Sequence, residues 1–317
     1  MNTRLVFLAF LTLIISCEEN NSELLLPESN GTINSISVVI DDNLWGSEIG
    51  TLIKKEFAYP IYGLPQMEPV FDLKQIPTSV FSGFATNSRT ILKVGISKQE
   101  RLAIFKNKYA KPQLIIDLSS VSQQKLKEQI SKSKDKVLAK LYAHEIAEKQ
   151  RRVLKSKNPT KLIREAFGFD ILFSSSYRIA KSSKDFLWVR RDTEKGSINF
   201  YISKIKNKEN LNINLIRDSL SKKFIPGPIV KTHMSTDKSY TPKSKEFQLS
   251  QNLKITETRG IWEVKDQFMA GPFISYMVTN RKNSEEVYIL EGFVYSPSTT
   301  KRDYIFELEA IFKSIKF

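Results

Sequence analysis

His144-Glu145 followed by Glu148 spells HExxE on a segment of helical periodicity, the nearest approach in this chain to a hydrolytic metal site. A zinc-hydrolase helix needs a second histidine at the last position, so that two imidazoles one turn apart face one metal. Glu148 stands there instead, and the pattern fits a solvated helix face better than a zinc site. His233, the other histidine, lies in a polar stretch with no carboxylate beside it in sequence. Asp41-Asp42 close an apolar strand pattern with no His or Cys nearby, as turn and cap residues do. Ser131 to Lys134 and Ser219 to Lys222 have SxxK spacing without the SDN and KTG companions, and GxSxG, P-loop and GxGxxG patterns are absent. Carboxylate pairs for glycoside hydrolysis meet only in space and leave no spacing to find. Non-enzyme is therefore the favoured class, with no cofactor and no metal ligand set expected.

Binding chemistry has a better candidate. Arg259 and Trp262 flank a Gly-containing turn into a strand, and Tyr295 closes a later one. Lys301 and Arg302 stand where a final helix starts. Cations there oppose the helix dipole, a small cost that an anion at the helix N-terminus would offset. The expectation is an anion-recognising patch of Arg259, Trp262, Tyr295, Lys301 and Arg302. The bland alternative leaves both cations in solvent and the two aromatics in the core.

The first residues set an address. Arg4 is a short positive start, Leu5 to Ile15 is an almost unbroken apolar run, and Cys17 is the sole cysteine. The run is shorter than the roughly 20 residues a membrane-crossing helix needs, so it reads as a secretory signal peptide. Ile14-Ile15-Ser16-Cys17 resembles the bacterial lipobox, in which cleavage precedes the cysteine and its sulfur is acylated. Residues 1–16 are then the signal peptide, Cys17 the lipidation site, and 17–30 a polar acidic tether. A lipidated Cys17 leaves no thiol for a disulfide, so a packed core must hold the fold, and 41% apolar residues can supply it. The net charge of +15, one unit of which is Arg4, would suggest nucleic acid in a cytosolic protein. In an exported lipoprotein it suits an anionic envelope surface instead, and nucleic acid is demoted.

The elements follow from periodicity. Residues 33–40 are dense in β-branched side chains, and a helical pattern follows to Phe57. Strand patterns recur at 70–76, 90–96 and 113–118. Val121 to Lys157 is the longest helical segment, with Leu126, Ile130, Val137, Leu138, Leu141, Tyr142, Ile146 and Val153 as a narrow apolar stripe. Its other faces carry eleven Lys or Arg against four acids. After the Asn158-Pro159 stop, strand patterns cover 171–180, 186–191, 197–205, 253–264, 273–280 and 287–295. A helix runs over 212–224, residues 231–250 look like an exposed polar loop, and a last helix spans 301–315. Thr300 with Asp303 has the form of a capping box for that helix. The expected fold is α+β, with mainly antiparallel sheets in two lobes (31–157 and 158–317) bridged by the long basic helix. The strand and helix order of the second lobe resembles α/β sandwiches of the PsbP and Mog1 type, which carries no function.

Several short stretches are distinctive together: GLPQMEP at 63–69, IPGP at 225–228, TRGIWEVKDQFMAGPFISY at 258–276 and EGFVYSPSTTKRDYIFELEAI at 291–311. With the lipobox and the strand-DDNLW opening at 36–45, they resemble an uncharacterised Bacteroidetes lipoprotein family catalogued as a domain of unknown function. The resemblance implies an envelope address, most simply the outer membrane, and no activity or site. The expected role is a lipid-anchored binding module for a protein partner or an anionic envelope component. The alternatives are a hydrolase of envelope glycans or lipids, and a structural subunit held by the 121–157 stripe.

Overall fold

The computed structural model describes residues 25–207 and 211–317. The signal-peptide segment, Cys17 and the first part of the tether lie outside the described residues. The end of the tether is not a free spacer: Lys111 donates to the Pro27 carbonyl, and residues 28 and 30 bridge to Lys111 and Ser88.

The protein is α+β, with a long helix between two lobes. The N-terminal lobe runs β1 (Ser35–Val39), α1 (Asp42–Trp45), α2 (Glu48–Phe57), β2 (Asp72–Ile76), β3 (Thr90–Ile96), β4 (Arg101–Lys106) and β5 (Leu114–Ser120). Its five strands are ordered β2-β1-β3-β5-β4. The pairings β1–β2, β1–β3 and β3–β5 are parallel, and only β4–β5 is antiparallel. Antiparallel pairing predominates over the molecule as a whole, and the parallel pairs are confined to this lobe. The apolar runs of β1, β3 and β5 are what central strands covered on both faces require.

Helix α3 (Gln123–Leu154) starts at Ser122, whose hydroxyl accepts the Lys125 N–H at 3.3 Å. Its 32 residues extend about 48 Å. Leu126, Ile130, Val137 and Leu141 are buried with Ile36, Val38, Ile53 and Phe57 of the first lobe. Ile146 is buried instead against Phe306 and Ala310 of the last helix. The apolar stripe is thus covered within the chain, and the helix packs on both lobes.

The C-terminal lobe follows with α4 (Lys161–Phe167), β6 (Arg178–Ser183), β7 (Phe186–Thr193), β8 (Gly196–Lys206), α5 (Ile213–Phe224), β9 (Met234–Thr236), β10 (Lys243–Ser250), β11 (Leu253–Val264), β12 (Met269–Asn280), β13 (Asn283–Tyr295) and α6 (Arg302–Phe312). Its strands are ordered β10-β11-β12-β13-β8-β7-β6, all antiparallel, with β9 also paired to β11. Strand alternation sends Ile274, Tyr276, Leu290 and Phe200 to the face covered by α4 and α6. Trp262, Phe273, Ile289 and Tyr201 go to the face covered by α5. Gly292 lets α6 sit close: a Cβ there would lie 2.8 Å from Leu308. The expected loop at 231–250 contains β9 and β10. The latter was hidden by its polar composition, which suits a solvated edge strand.

Candidate functional site

The loop joining α2 to β2 departs from the first lobe and docks on the second. It is closed at its base, where Ile61 donates to the Glu68 carbonyl and Val70 to that of Tyr59, both at 2.9 Å. Gly63 holds a φ of +90° beside Arg259 and Gly260 of β11, a backbone shape that disfavours a side chain. Its N–H meets the Tyr240 hydroxyl at 3.0 Å, and the Tyr62 hydroxyl donates to the Thr241 carbonyl. The Tyr62 and Tyr240 rings lie 5.0 Å apart, and the Lys243 ammonium stands 4.1 Å from the Tyr62 ring centre. Between this loop, the middle of α3 and the second lobe lies a cleft of about 540 Å³.

One wall of the cleft is apolar and aromatic: Tyr59, Ile61, Tyr62, Val70, Leu138 and Tyr142. The opposite wall carries Lys243, Lys245, Arg259 and Lys313 against Glu257 and Glu309. Glu257 and Arg259 are two apart on β11 and therefore share a face. Glu309 and Lys313 are four apart on α6 and meet at 2.8 Å. Arg259 bridges the two acids, with Nε 2.7 Å from Glu257 Oε1 and Nη2 2.5 Å from Glu309 Oε2. Tyr142 donates to Glu309 at 2.5 Å, Tyr276 to Glu257 at 3.0 Å, and Lys245 reaches Glu257 at 3.2 Å.

Both carboxylates are almost fully buried. Burial alone would raise the Glu309 pKa, but Arg259 and Lys313 outweigh it and hold the group down at about 2. Burial likewise works against the charge on Arg259, yet Glu309 and Glu257 hold it well above its usual range. Tyr142 is pushed well above the usual phenol range, first by burial and then by Glu309. Glu309 is thus fixed in its ionised form at neutral pH, and both acids of this ionic floor are already paired with cations. The cations exceed the acids, and Lys245 in particular remains largely exposed.

The expected patch residues fall in three places. Arg259 is in the cleft. Trp262, three residues along the same strand, points to the other face and is buried with Phe293 and Tyr295, 6.0 and 6.3 Å between ring centres. Lys301 and Arg302 are buried at the start of α6. That helix start does hold an anion, and it is internal: the Glu68 carboxylate takes the backbone N–H groups of Lys301 and Arg302. The helix begins after Lys301 with no side-chain cap of its own, so Thr300 and Asp303 do not form the expected box. Arg302 is satisfied by Asp72, Asp303 and the Pro69 carbonyl.

The HExxE acids are not on a solvated face either. Glu145 is fully buried and accepts from Arg89, Thr90 and the Asn34 backbone, and Glu148 binds Arg151 and Arg152. Among the described residues, no group of three or more His, Cys, Asp or Glu is placed to hold a metal ion. Sequence reasoning passed over Tyr59, Lys243, Lys245, Glu257, Glu309 and Lys313. The usable signals were the Glu257-x-Arg259 strand spacing and the Glu309-to-Lys313 helical spacing.

Two family models match the chain, each described as a domain of unknown function: DUF8532 over residues 29–154 and DUF4837 over residues 156–314. No curated protein matches it. Among solved structures, the human StarD13 (DLC2) lipid transfer and protein localization domain aligns at 7% identity. The alignment covers 44% of this chain and 89% of that one with a TM-score of 0.22, too weak a likeness to carry an argument.

Proposed function

Since the chain belongs to the family described as Domain of unknown function (DUF4837), which brings no activity with it, we propose a role from its own geometry: a non-catalytic, lipid-anchored envelope protein whose interlobe cleft binds an anionic ligand. The observation that carries this is the cleft itself, an aromatic wall facing four cations of which only part is matched by Glu257 and Glu309. A ligand with an acidic group and a flat or apolar body would pair with Lys243 and Lys245 while covering Tyr59 and Tyr62. Cation–π contacts such as that of Lys243 on Tyr62 hold a lysine near the aromatic wall without neutralising it. The address rests on Arg4, the Leu5 to Ile15 run and Cys17, and on the basic balance of the chain.

One observation favours a hydrolase as second reading: Glu257 and Glu309 converge on a single guanidinium. Against it, a general acid must be protonated at working pH, and Glu309 is held at about 2. A subunit role through the α3 stripe has less support, because Leu126, Ile130, Val137 and Leu141 are already covered.

Thermal unfolding of the chain from residue 17, with Cys17→Ser, tests the binding reading against inorganic phosphate, sulfated oligosaccharides and uronic-acid oligomers. A ligand at a hundredfold excess over its Kd stabilises the fold by about 2.7 kcal/mol. A selective shift that disappears in Lys243→Glu/Lys245→Glu supports the cleft. A flat panel, or a shift that the double variant keeps, removes it; turnover of any oligomer, lost in Glu309→Gln, would favour the hydrolase.

A further inference from the structure

At one end of the C-terminal sheet, two neighbouring turns expose apolar side chains to solvent. The β11–β12 hairpin turns between Val264 and Met269, which pair with each other, and Val264 also pairs with Met234 of β9. The segment before β9 is a closed turn, with Pro226 bridged to His233 and the Gly227 N–H bonded to the Thr232 carbonyl. The two turns therefore leave the sheet side by side. Phe268 at one tip is fully exposed, and Ile229 and Val230 at the other are 54% and 86% exposed. These side chains stand beyond Met234, Val264 and Trp262, which are buried under the same turns. Lys231 and Lys265 accompany them, with Asp266 as the acid of the hairpin tip.

We infer that these two tips, Ile229-Val230 and Phe268, dock into the interface of a lipid bilayer. Apolar side chains at turn tips, flanked by lysines, match a bilayer surface: the tips enter the acyl boundary and the ammonium groups meet anionic headgroups. The tips are narrow and separate, whereas a protein partner would find more use for a continuous patch. The path of the chain into β1 is consistent with this. Residues 27–30 run against Lys111 and Ser88 of the first lobe, and Asn34 then donates to Asp303 at the start of α6 at 3.1 Å. That start follows the end of β13, the sheet end from which both turns emerge, since Gly271 of β12 faces Val294 there. Seven residues, or eight Cα–Cα steps, separate Cys17 from Leu25, a reach of at most about 28 Å. The inference rests on the reading that the chain is held at a membrane, and adds which end faces it.

The test supplies the tether artificially, so that it does not depend on native acylation. The chain from residue 17, with Cys17→Ser and a preceding polyhistidine tag, is captured on vesicles of phosphatidylethanolamine and phosphatidylglycerol carrying a nickel-chelating lipid. An environment-sensitive fluorophore is placed at Phe268→Cys, at Val230→Cys or, as control, at Phe84→Cys, an exposed site on the first lobe. Quenching by nitroxide-labelled lipid at least about threefold greater at 268 and 230 than at 84 is the expected result. Val230→Asp should lower the signal at 268 while leaving the Tm unchanged. Equal quenching at all three sites overturns the docking face. Acylation is measured separately, by comparing the mass of the full chain with that of its Cys17→Ser variant, so the two ideas fail independently.

Discussion

Glu68 Oε2 accepts the backbone N–H of Arg302 at 2.8 Å, joining residues 234 positions apart in sequence. The same carboxylate takes the Lys301 N–H at 2.8 and 3.0 Å. An acid from the first lobe thus supplies the N-terminal cap of the last helix, where the dipole favours negative charge. Glu68→Ala would leave those buried N–H groups unmatched and should cost about 2 kcal/mol in urea unfolding, with Glu68→Gln costing less. A Glu68→Ala chain as stable as the parent would show that the lobes do not depend on this cap.

The Arg89–Glu145 pair should behave as a buried ion pair. Two guanidinium nitrogens lie 2.5 and 2.9 Å from Glu145, which also accepts from Thr90 at 2.7 Å. Arg89→Ala strands a buried carboxylate and should cost about 3–5 kcal/mol. His144 next door is different: its Nε2 is buried without a partner, and burial, then Arg89, lowers its pKa. His144→Ala should change stability by less than about 1 kcal/mol and leave zinc uptake at the background of the parent chain. Stoichiometric zinc binding by the parent that His144→Ala abolishes would restore the metal reading of HExxE.

What the sequence made legible was local. Leu308, Ile311 and Phe312 of α6 have helical spacing and are buried, as is Ile315 just past the helix end, while Tyr304 of the same pattern is only partly buried. Strand parity was equally legible: Arg259 and Trp262, three apart, must face opposite ways on β11, so they could not share a patch. The β-branched density of β1, with Ile36, Val38 and Val39 buried on both faces, also carried a hint of parallel pairing. The Glu68 cap had no local signature, because nothing near residue 68 reveals that a helix begins at Arg302. The cleft is harder still, since its walls come from the 59–70 loop, α3, β10, β11 and α6. A cation at Arg259 was visible; that Glu309 and Glu257 would meet it was not.

Lys243 and Lys245 should be cheap to alter and costly to the proposed ligand. Both are exposed, and the Lys245 contact to Glu257 at 3.2 Å is made by a side chain 65% exposed. Lys243→Ala and Lys245→Ala should each move stability by no more than about 0.5 kcal/mol. Any anion that stabilises the parent should lose affinity in both, more at low salt than at high salt. Affinity unchanged across the two variants and across salt would mean that the ligand sits elsewhere.

The acid limb of stability should depend on Glu309. Its carboxyl titrates at about 2 in the folded protein, against a reference of 4.5. A depressed folded-state pKa means that the unfolded chain binds the proton first as pH falls. The stabilisation is therefore complete above about pH 5 and lost progressively toward pH 2. A shift of this size corresponds to roughly 3 kcal/mol. Burial, then Arg89, lowers the His144 pKa; its loss begins nearer neutrality and in the same direction, so the informative quantity is the difference between chains. Glu309→Gln should be less stable than the parent at pH 7, because Arg259 and Lys313 lose a charged partner, and the gap should narrow by about half as pH falls to 3. Urea midpoints measured from pH 7 to pH 3 decide it: a gap that stays constant would mean that Glu309 does not carry its charge in the folded cleft, and the fixed ionic floor would have to be abandoned.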